Sequence, residues 1–309
     1  MKIGFTSRVC PRWDLATIAQ KAAEFGYAGV ELGAMNGENH LPAVRELSAD
    51  PGAVKQLFAN KKIELVCIGS LVTLDAKGDH DRQSARRRLL EVVELAAKLS
   101  CPFVRAPIGS LPNGGDRYGT LSRIARELAS VAQDIARFRV TLLLENGGDF
   151  ASSRDLWFLV DTGSHPAVAA CWNPCQGMTQ LERPTLAIPR LGKMIRLVRA
   201  CDGAFDARGG FGGFKLPGEG DVGLGRMIDF LRGIIYRGYL IADWPKAAAP
   251  ELPEPEEALP QAAAWLRERI GALAEPLTAY KGDKQAVKFR LPPGMAAPAA
   301  IAKPAKAKH

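Results

Sequence analysis

Two carboxylates close apolar runs in this chain: Glu145 ends Val140–Glu145 (VTLLLE) and Asp243 ends Tyr239–Asp243 (YLIAD). A carboxylate at the end of a buried strand can exchange a proton with a carbon centre, ligate a metal, or do both, and two converging on one point make an acid/base pair. Side chains alternate along a strand, so an inward Glu145 shares its face with Leu143 and Thr141, while Leu142 and Leu144 pack outward. Glu31 of the second apolar run and Arg105 of the fourth are further polar groups within such runs, and each reads equally well as half of a structural ion pair. Lys215 follows the glycine-rich loop Gly209–Phe214 (GGFGGF), where the backbone can approach an anion closely, or which can act as a mobile lid. Trp13, Trp172 and Trp244 have faces suited to a sugar ring, but core packing is the simpler reading.

The elements that must position these groups alternate regularly. Apolar runs at Lys2–Ser7, Gly29–Gly33, Ile63–Gly69, Phe103–Ala106, Val140–Glu145, Val168–Asn173, Ile195–Cys201 and Tyr239–Asp243 read as eight strands buried on both faces, as parallel strands are. Helical stretches lie between them. Asp14 is placed to cap Leu15–Phe25 with Gly26 as the stop, Ser153 and Asp155 open the helix ended by Gly163, and Pro184 and Pro189 keep Leu181–Leu191 short. Eight strand–helix repeats predict an α/β fold that closes into a (β/α)₈ TIM barrel, with chemistry at the carboxyl ends of the strands. None of these eight runs leads directly into a GxGxxG or a GxxxxGK[ST], so an open nucleotide-binding sheet lacks its signature.

At 309 residues, 47% apolar and 24% charged, the chain suits one barrel of residues 1–275 followed by an extension, 276–309. From about residue 292 that extension is Ala, Pro and Lys with almost no large apolar side chains, which predicts disorder. The net charge of +8 invites a nucleic-acid reading, but seven basic residues against one acid lie from Lys281 onward, leaving +2 for residues 1–280. A nucleic-acid enzyme would carry its basic patch on the folded body. No signal-peptide pattern opens the chain and no apolar run reaches the roughly 18 residues of a membrane span, so a cytoplasmic protein with no membrane partner is expected. Cys171 and Cys175 form CWNPC without a second Cys or His pair for zinc; the six thiols read as packing groups, with a redox-sensitive thiol as the alternative.

The phrases GYAGVEL (Gly26–Leu32), VTLLLENGG (Val140–Gly148), LPGEGDVGLGRMIDFL (Leu216–Leu231) and YRGYLIADW (Tyr236–Trp244) resemble, in order and spacing, segments of the sugar phosphate isomerase/epimerase family, the xylose-isomerase-like barrels. The resemblance implies a divalent metal, Mn²⁺ or Mg²⁺, held by a Glu after the fifth strand, an Asp after the sixth, a His in the seventh and a Glu after the eighth. It also implies that the two Glu shuttle protons on a keto-sugar. Carried over position by position, the first is Glu145, the Asp falls on Asn173, the His on Arg199 and the last Glu on Asp243. A further His of the family falls on Gln176. An arginine neither deprotonates at neutral pH nor ligates a metal, and Asn173 removes a negative charge, so Glu145, Asn173 and Asp243 remain as a weakened metal set.

The expected activity is therefore isomerisation, epimerisation or dehydration of a small sugar, polyol or keto acid by proton transfer through Glu145 and Asp243. Arg199 would take over part of the metal's role on a substrate carbonyl or carboxylate, and Asn173, Gln176, Glu31, Arg105 and Lys215 would line the binding site. The competing expectation is a catalytically inactive barrel that binds a small polar ligand. The partner is a carbohydrate or sugar acid in either case, and a homo-oligomer is compatible with both. The histidines avoid the strand ends, which argues against the superfamily's DNA-repair branch with its histidine-bound zinc cluster.

Overall fold

Each apolar run forms a strand within a residue or two of its expected bounds. The computed structural model describes residues 1–35, 37–111 and 115–272. In it, β1 (Lys2–Thr6), β2 (Gly29–Leu32), β3 (Glu64–Gly69), β4 (Phe103–Pro107), β5 (Thr141–Glu145), β6 (Val168–Trp172) and β7 (Ile195–Ala200) pair in sequence, all parallel. A short antiparallel hairpin, β8 (Asp202–Phe205) and β9 (Phe211–Lys215), interrupts the series. Then β10 (Tyr239–Ala242) pairs with both β7 and β1 and closes the barrel. Residues 1–272 form one unit; the extension expected from residue 276 lies outside the described residues.

The helices are α1 (Leu15–Glu24), α2 (Arg45–Ser48), α3 (Pro51–Asn60), α4 (Asp79–Lys98), α5 (Arg117–Arg137), α6 (Ser153–Gly163), α7 (Pro174–Met178), α8 (Pro184–Leu191), α9 (Leu224–Gly233) and α10 (Pro255–Gly271). Asp14 caps α1 by accepting from the Thr17 amide at 2.7 Å, and Gly26 ends that turn with φ +76°. At α6 the cap is Ser152 rather than Ser153, and the left-handed terminal residue is Ser164 rather than Gly163. No helix among the described residues is long and apolar enough to cross a membrane.

Alternation along the strands divides the core in two. Leu142 and Leu144 belong to the large cluster between sheet and helices, while Leu143 packs inside the barrel with Cys67, Cys171, Leu197 and Ile241. That inner plug is apolar, and the next inward position toward the carboxyl end on several strands is polar: Glu145, Asn173, Arg199 and Asp243. A charged layer thus rests on a dry floor, where ionic interactions are only weakly screened.

Candidate functional site

Register brings the polar layer together. Arg199 pairs in the ladder with Ile241, and Glu145 with Pro107 and Cys171, so the expected site residues of β5, β6, β7 and β10 meet at one rim. Arg199 is wholly buried at the centre. Its Nη1 lies 2.7 Å from Glu31 Oε2, its Nη2 donates to Glu31 Oε1 at 2.8 Å, and its Nε sits 3.2 Å from Glu145 Oε1 and 3.6 Å from Asp243 Oδ2. Arg105 forms a second bridge, donating from Nη1 to Glu145 Oε2 at 2.7 Å and from Nε to Glu31 Oε1 at 3.3 Å. Thus Glu31 and Arg105, open between pocket and ion-pair roles in the sequence, are ion-pair members, and Arg105 also reaches the cavity above.

The bridges set the protonation states. Burial pushes the Glu145 carboxyl up, but the guanidiniums of Arg199, Arg105 and Arg8, with the Asn173 amide, outweigh it and bring it to about 2. Glu31 is lowered in the same way: burial opposes ionisation, and Arg199 and Arg105 overcome it. Burial also disfavours a charged Arg199, but Glu31, Glu145 and Asp243 hold its guanidinium protonated. Glu145 is consequently a weak base at neutral pH, since a general base works best with a pKa near the working pH.

The donor set does not suit the divalent metal that the resemblance implies. Both Glu145 oxygens are engaged by guanidinium or amide N–H groups. Asn173 spends both ends of its amide, Nδ2 donating to Glu145 Oε1 at 3.0 Å and Oδ1 accepting from the Gln176 amide at 3.3 Å to cap α7. The Arg199 cation stands between Glu145 and Asp243. Among the described residues no group of three or more His, Cys, Asp or Glu is arranged to hold a metal. The assignment of Glu145, Asn173 and Asp243 as metal ligands therefore does not fit this arrangement.

A cavity of about 310 Å³ opens above the layer, walled by Arg8, Arg105, Glu145, Asn173, Gln176 and Asp243 among others. Arg199, expected at the substrate, and Glu31 are not among its lining residues: the Arg199 head lies in the buried layer beneath, paired with Glu31, Glu145 and Asp243. Lys215 is exposed and lies outside the wall; the glycine-rich stretch forms much of the hairpin β8–β9, and its Phe214 faces the cavity instead. Trp172 and Trp244 are core residues. A larger recess of about 460 Å³ beside Trp13, Lys246 and Glu256 contains none of these groups.

Two wall residues escape the sequence reading. Arg8 sits in the 3₁₀ turn Ser7–Val9 directly after β1, with Nη1 3.9 Å from Asp243 Oδ2. Its stem lies against Gly33, where a Cβ would come 2.8 Å from Arg8 Cγ. Asn146 ties the ends of β5 and β6, donating to the carbonyls of Ala151 and Asn173 and accepting from the Asn173 amide at 2.8 Å. Its position one residue after Glu145 is the signal that was available. Asp243 is itself distinctive: buried, on the cavity wall, with Oδ1 lacking a hydrogen-bond partner among the described residues.

Residues 19–269 match the family model described as xylose isomerase-like TIM barrel. No curated protein matches the chain. Among solved structures it is similar to the probable 3-DHS dehydratase AsbF of Bacillus anthracis, with 14% identity, a TM-score of 0.72, and coverage of 86% of this chain and 99% of that one. It is also similar to the 3-keto-D-glucoside 4-epimerase YcjR of E. coli (15%, 0.70, 86% and 99%). A third likeness is to D-psicose 3-epimerase of Clostridium cellulolyticum H10 with D-tagatose (15%, 0.70, 88% and 100%).

Proposed function

The chain belongs to the xylose isomerase-like TIM barrel family, and on that premise we propose that its barrel mouth binds a small carbohydrate or sugar acid and moves a proton beside the carbonyl without a metal. The carrying observation is Asp243 on the cavity wall, whose buried Oδ1 has no hydrogen-bond partner among the described residues and whose Oδ2 lies 3.9 Å from Arg8 Nη1. A buried carboxylate oxygen left without a donor is costly unless it has work to do. Asp243 takes the proton from carbon; the C–H electron pair forms the enediolate double bond, and the carbonyl pair moves onto oxygen. Arg8 stabilises that oxyanion; Asp243 returns the proton either to the same carbon, which exchanges it, or to the neighbouring carbon while the enediolate's hydroxyl proton passes to the oxyanion, which moves the carbonyl. Glu145 holds Arg105 and Arg199 in place. The similar folds of two sugar epimerases and a probable dehydratase support the reaction class.

Solvent deuterium reports this proton step whichever product forms. Incubated in D₂O with D-psicose, D-tagatose, D-fructose and a series of hexuronates, the protein is expected to introduce deuterium beside the carbonyl of at least one, read by NMR. One observation favours the second reading, a binding barrel without turnover: Glu145, held at about 2 by its guanidinium partners, is a poor base and weakens the expected acid/base pair. Binding of a compound in the series with no deuterium uptake would establish that reading instead.

A further inference from the structure

A second, smaller cavity adjoins the mouth and differs from it in charge. It measures about 170 Å³ and is walled by Arg8, Ala34, Asn39, Ser70, Leu71 and Arg105 among others. Arg8, Leu71 and Arg105 belong to both cavities. The mouth has the acids Glu145 and Asp243 in its wall; among the described residues the smaller cavity has two arginines and no carboxylate. The Arg105 head is committed at Nε and Nη1, and its Nη2 lies alongside Gly69, where a Cβ would come within 2.8 Å. Gly33 and Gly69 thus let the Arg8 stem and the Arg105 head pack closely against the backbone of the recess. The Ser70 hydroxyl accepts from the Val72 amide at 3.0 Å, which leaves its proton to donate. At about 30 Å³ per water, the volume suits one small oxyanion group.

We propose that this recess is an oxyanion subsite, and that the molecule bound at the mouth carries a terminal carboxylate or phosphate ester seated between Arg8 and Arg105. Guanidinium forks match both groups in geometry and bind them more strongly than neutral partners. The subsite lies over β2, β3 and β4, on the far side of the barrel from Lys215, where the glycine-rich stretch suggests an anion site in the sequence. For the identity of the remaining part of the ligand, the proposal rests on the reading of the mouth as a sugar site.

Ala34 lines the smaller cavity and is not among the lining residues of the mouth, so Ala34→Leu is expected to fill the recess and leave the mouth open. By calorimetric titration, D-galacturonate or D-fructose 6-phosphate is expected to bind the wild type at least about tenfold tighter than D-tagatose, and Ala34→Leu is expected to remove that advantage while leaving D-tagatose unchanged. Preference for the uronate, the phosphate ester or both identifies the source of the oxyanion. Equal binding of neutral and charged sugars, or undiminished oxyanion affinity in Ala34→Leu, overturns the proposal. Acetate and inorganic phosphate separate the two readings: if no sugar binds but either ion raises the melting temperature of the wild type and not of Ala34→Leu, the subsite stands and the sugar reading falls. If neither ion nor any sugar acts, the subsite falls.

A separate observation carries a second site. Cys175, in α7, and Cys201, just after β7, are buried reduced thiols on the wall of the mouth, with Sγ atoms 2.8 Å apart. That is within about 1 Å of disulfide bonding distance. The geometry points to a disulfide between them when a peroxide enters the cavity. One thiol sulfur attacks the peroxide, forming S–O as O–O breaks and water leaves; the second sulfur then attacks it, forming S–S as S–O breaks and a second water leaves. Peroxide under native conditions is expected to remove two of the six titratable thiols, to give a Cys175–Cys201 crosslinked peptide in non-reducing digests, and to be reversed by dithiothreitol. Cys175→Ser and Cys201→Ser are each expected to keep all five remaining thiols. Six free thiols after treatment of the wild type, or the same loss in either variant, would overturn it.

Discussion

Arg199→Met is expected to lower the free energy of unfolding at neutral pH by about 3–5 kcal/mol, the usual cost of leaving a buried charge without its partner. Methionine fills much of the same volume, so the loss is electrostatic rather than a cavity. Glu31 and Glu145 would then share Arg105 as their one remaining close guanidinium, on an apolar floor. The pH dependence reverses with it. In the wild type Glu145 sits at about 2, below its ordinary 4.5, so its stabilising contribution is present above about pH 4.5 and is lost as pH falls through about 2. In Arg199→Met one of the two carboxylates is pushed above its ordinary range and binds a proton on folding, so the variant gains stability as pH drops from 7 toward 5. Urea unfolding at several pH values between 7 and 4 measures both effects. A variant as stable as the wild type, with the same pH slope, would show that Arg199 is not the clamp of this layer.

The same clamp explains what could and could not be read from the sequence. Strand positions were legible because parallel strands buried on both faces are short runs of apolar residues. The acids that end them were legible because Glu145 and Asp243 break those runs at the strand ends. The depth of Arg199 was not: a seventh-strand residue two positions after Leu197 must face the barrel, but whether its long head rises to the mouth or sinks depends on where three acids on other strands lie. Arg8 was hidden for a different reason. It stands in a turn with no pattern of its own, and its placement depends on Gly33, a tertiary neighbour. The hairpin β8–β9 was missed because glycines in GGFGGF weaken the strand signal. Its anchor, Asp202, accepts from the amides of Gly203, Gly218 and Val222, and Gly220 must lack a Cβ because one would come 2.3 Å from the Asp202 carboxylate. The phrase LPGEGDVGLG, seen in the sequence only as a family resemblance, is in part a wrapping for one buried carboxylate.

Asp243→Asn and Glu145→Gln are expected to separate chemistry from architecture. Asp243→Asn keeps shape and leaves Arg199 paired with Glu31 and Glu145, so folding should change little while deuterium uptake falls by about 10²–10⁴-fold, the usual worth of a positioned acid/base group. Glu145→Gln removes one of the two carboxylates that Arg105 and Arg199 share, leaving Glu31, and turns the Asn173 contact into one between two amides. Its expected signature is therefore lost stability, again about 3–5 kcal/mol, with any fall in uptake tracking weaker ligand binding rather than a slower proton-transfer step. Parallel measurement of uptake, ligand affinity and urea midpoint on the two variants decides the matter. Wild-type uptake in Asp243→Asn would remove Asp243 as the proton carrier. A stable Glu145→Gln that binds ligand normally and exchanges no deuterium would move that role to Glu145, which would require the ligand itself to displace a guanidinium and free the carboxylate.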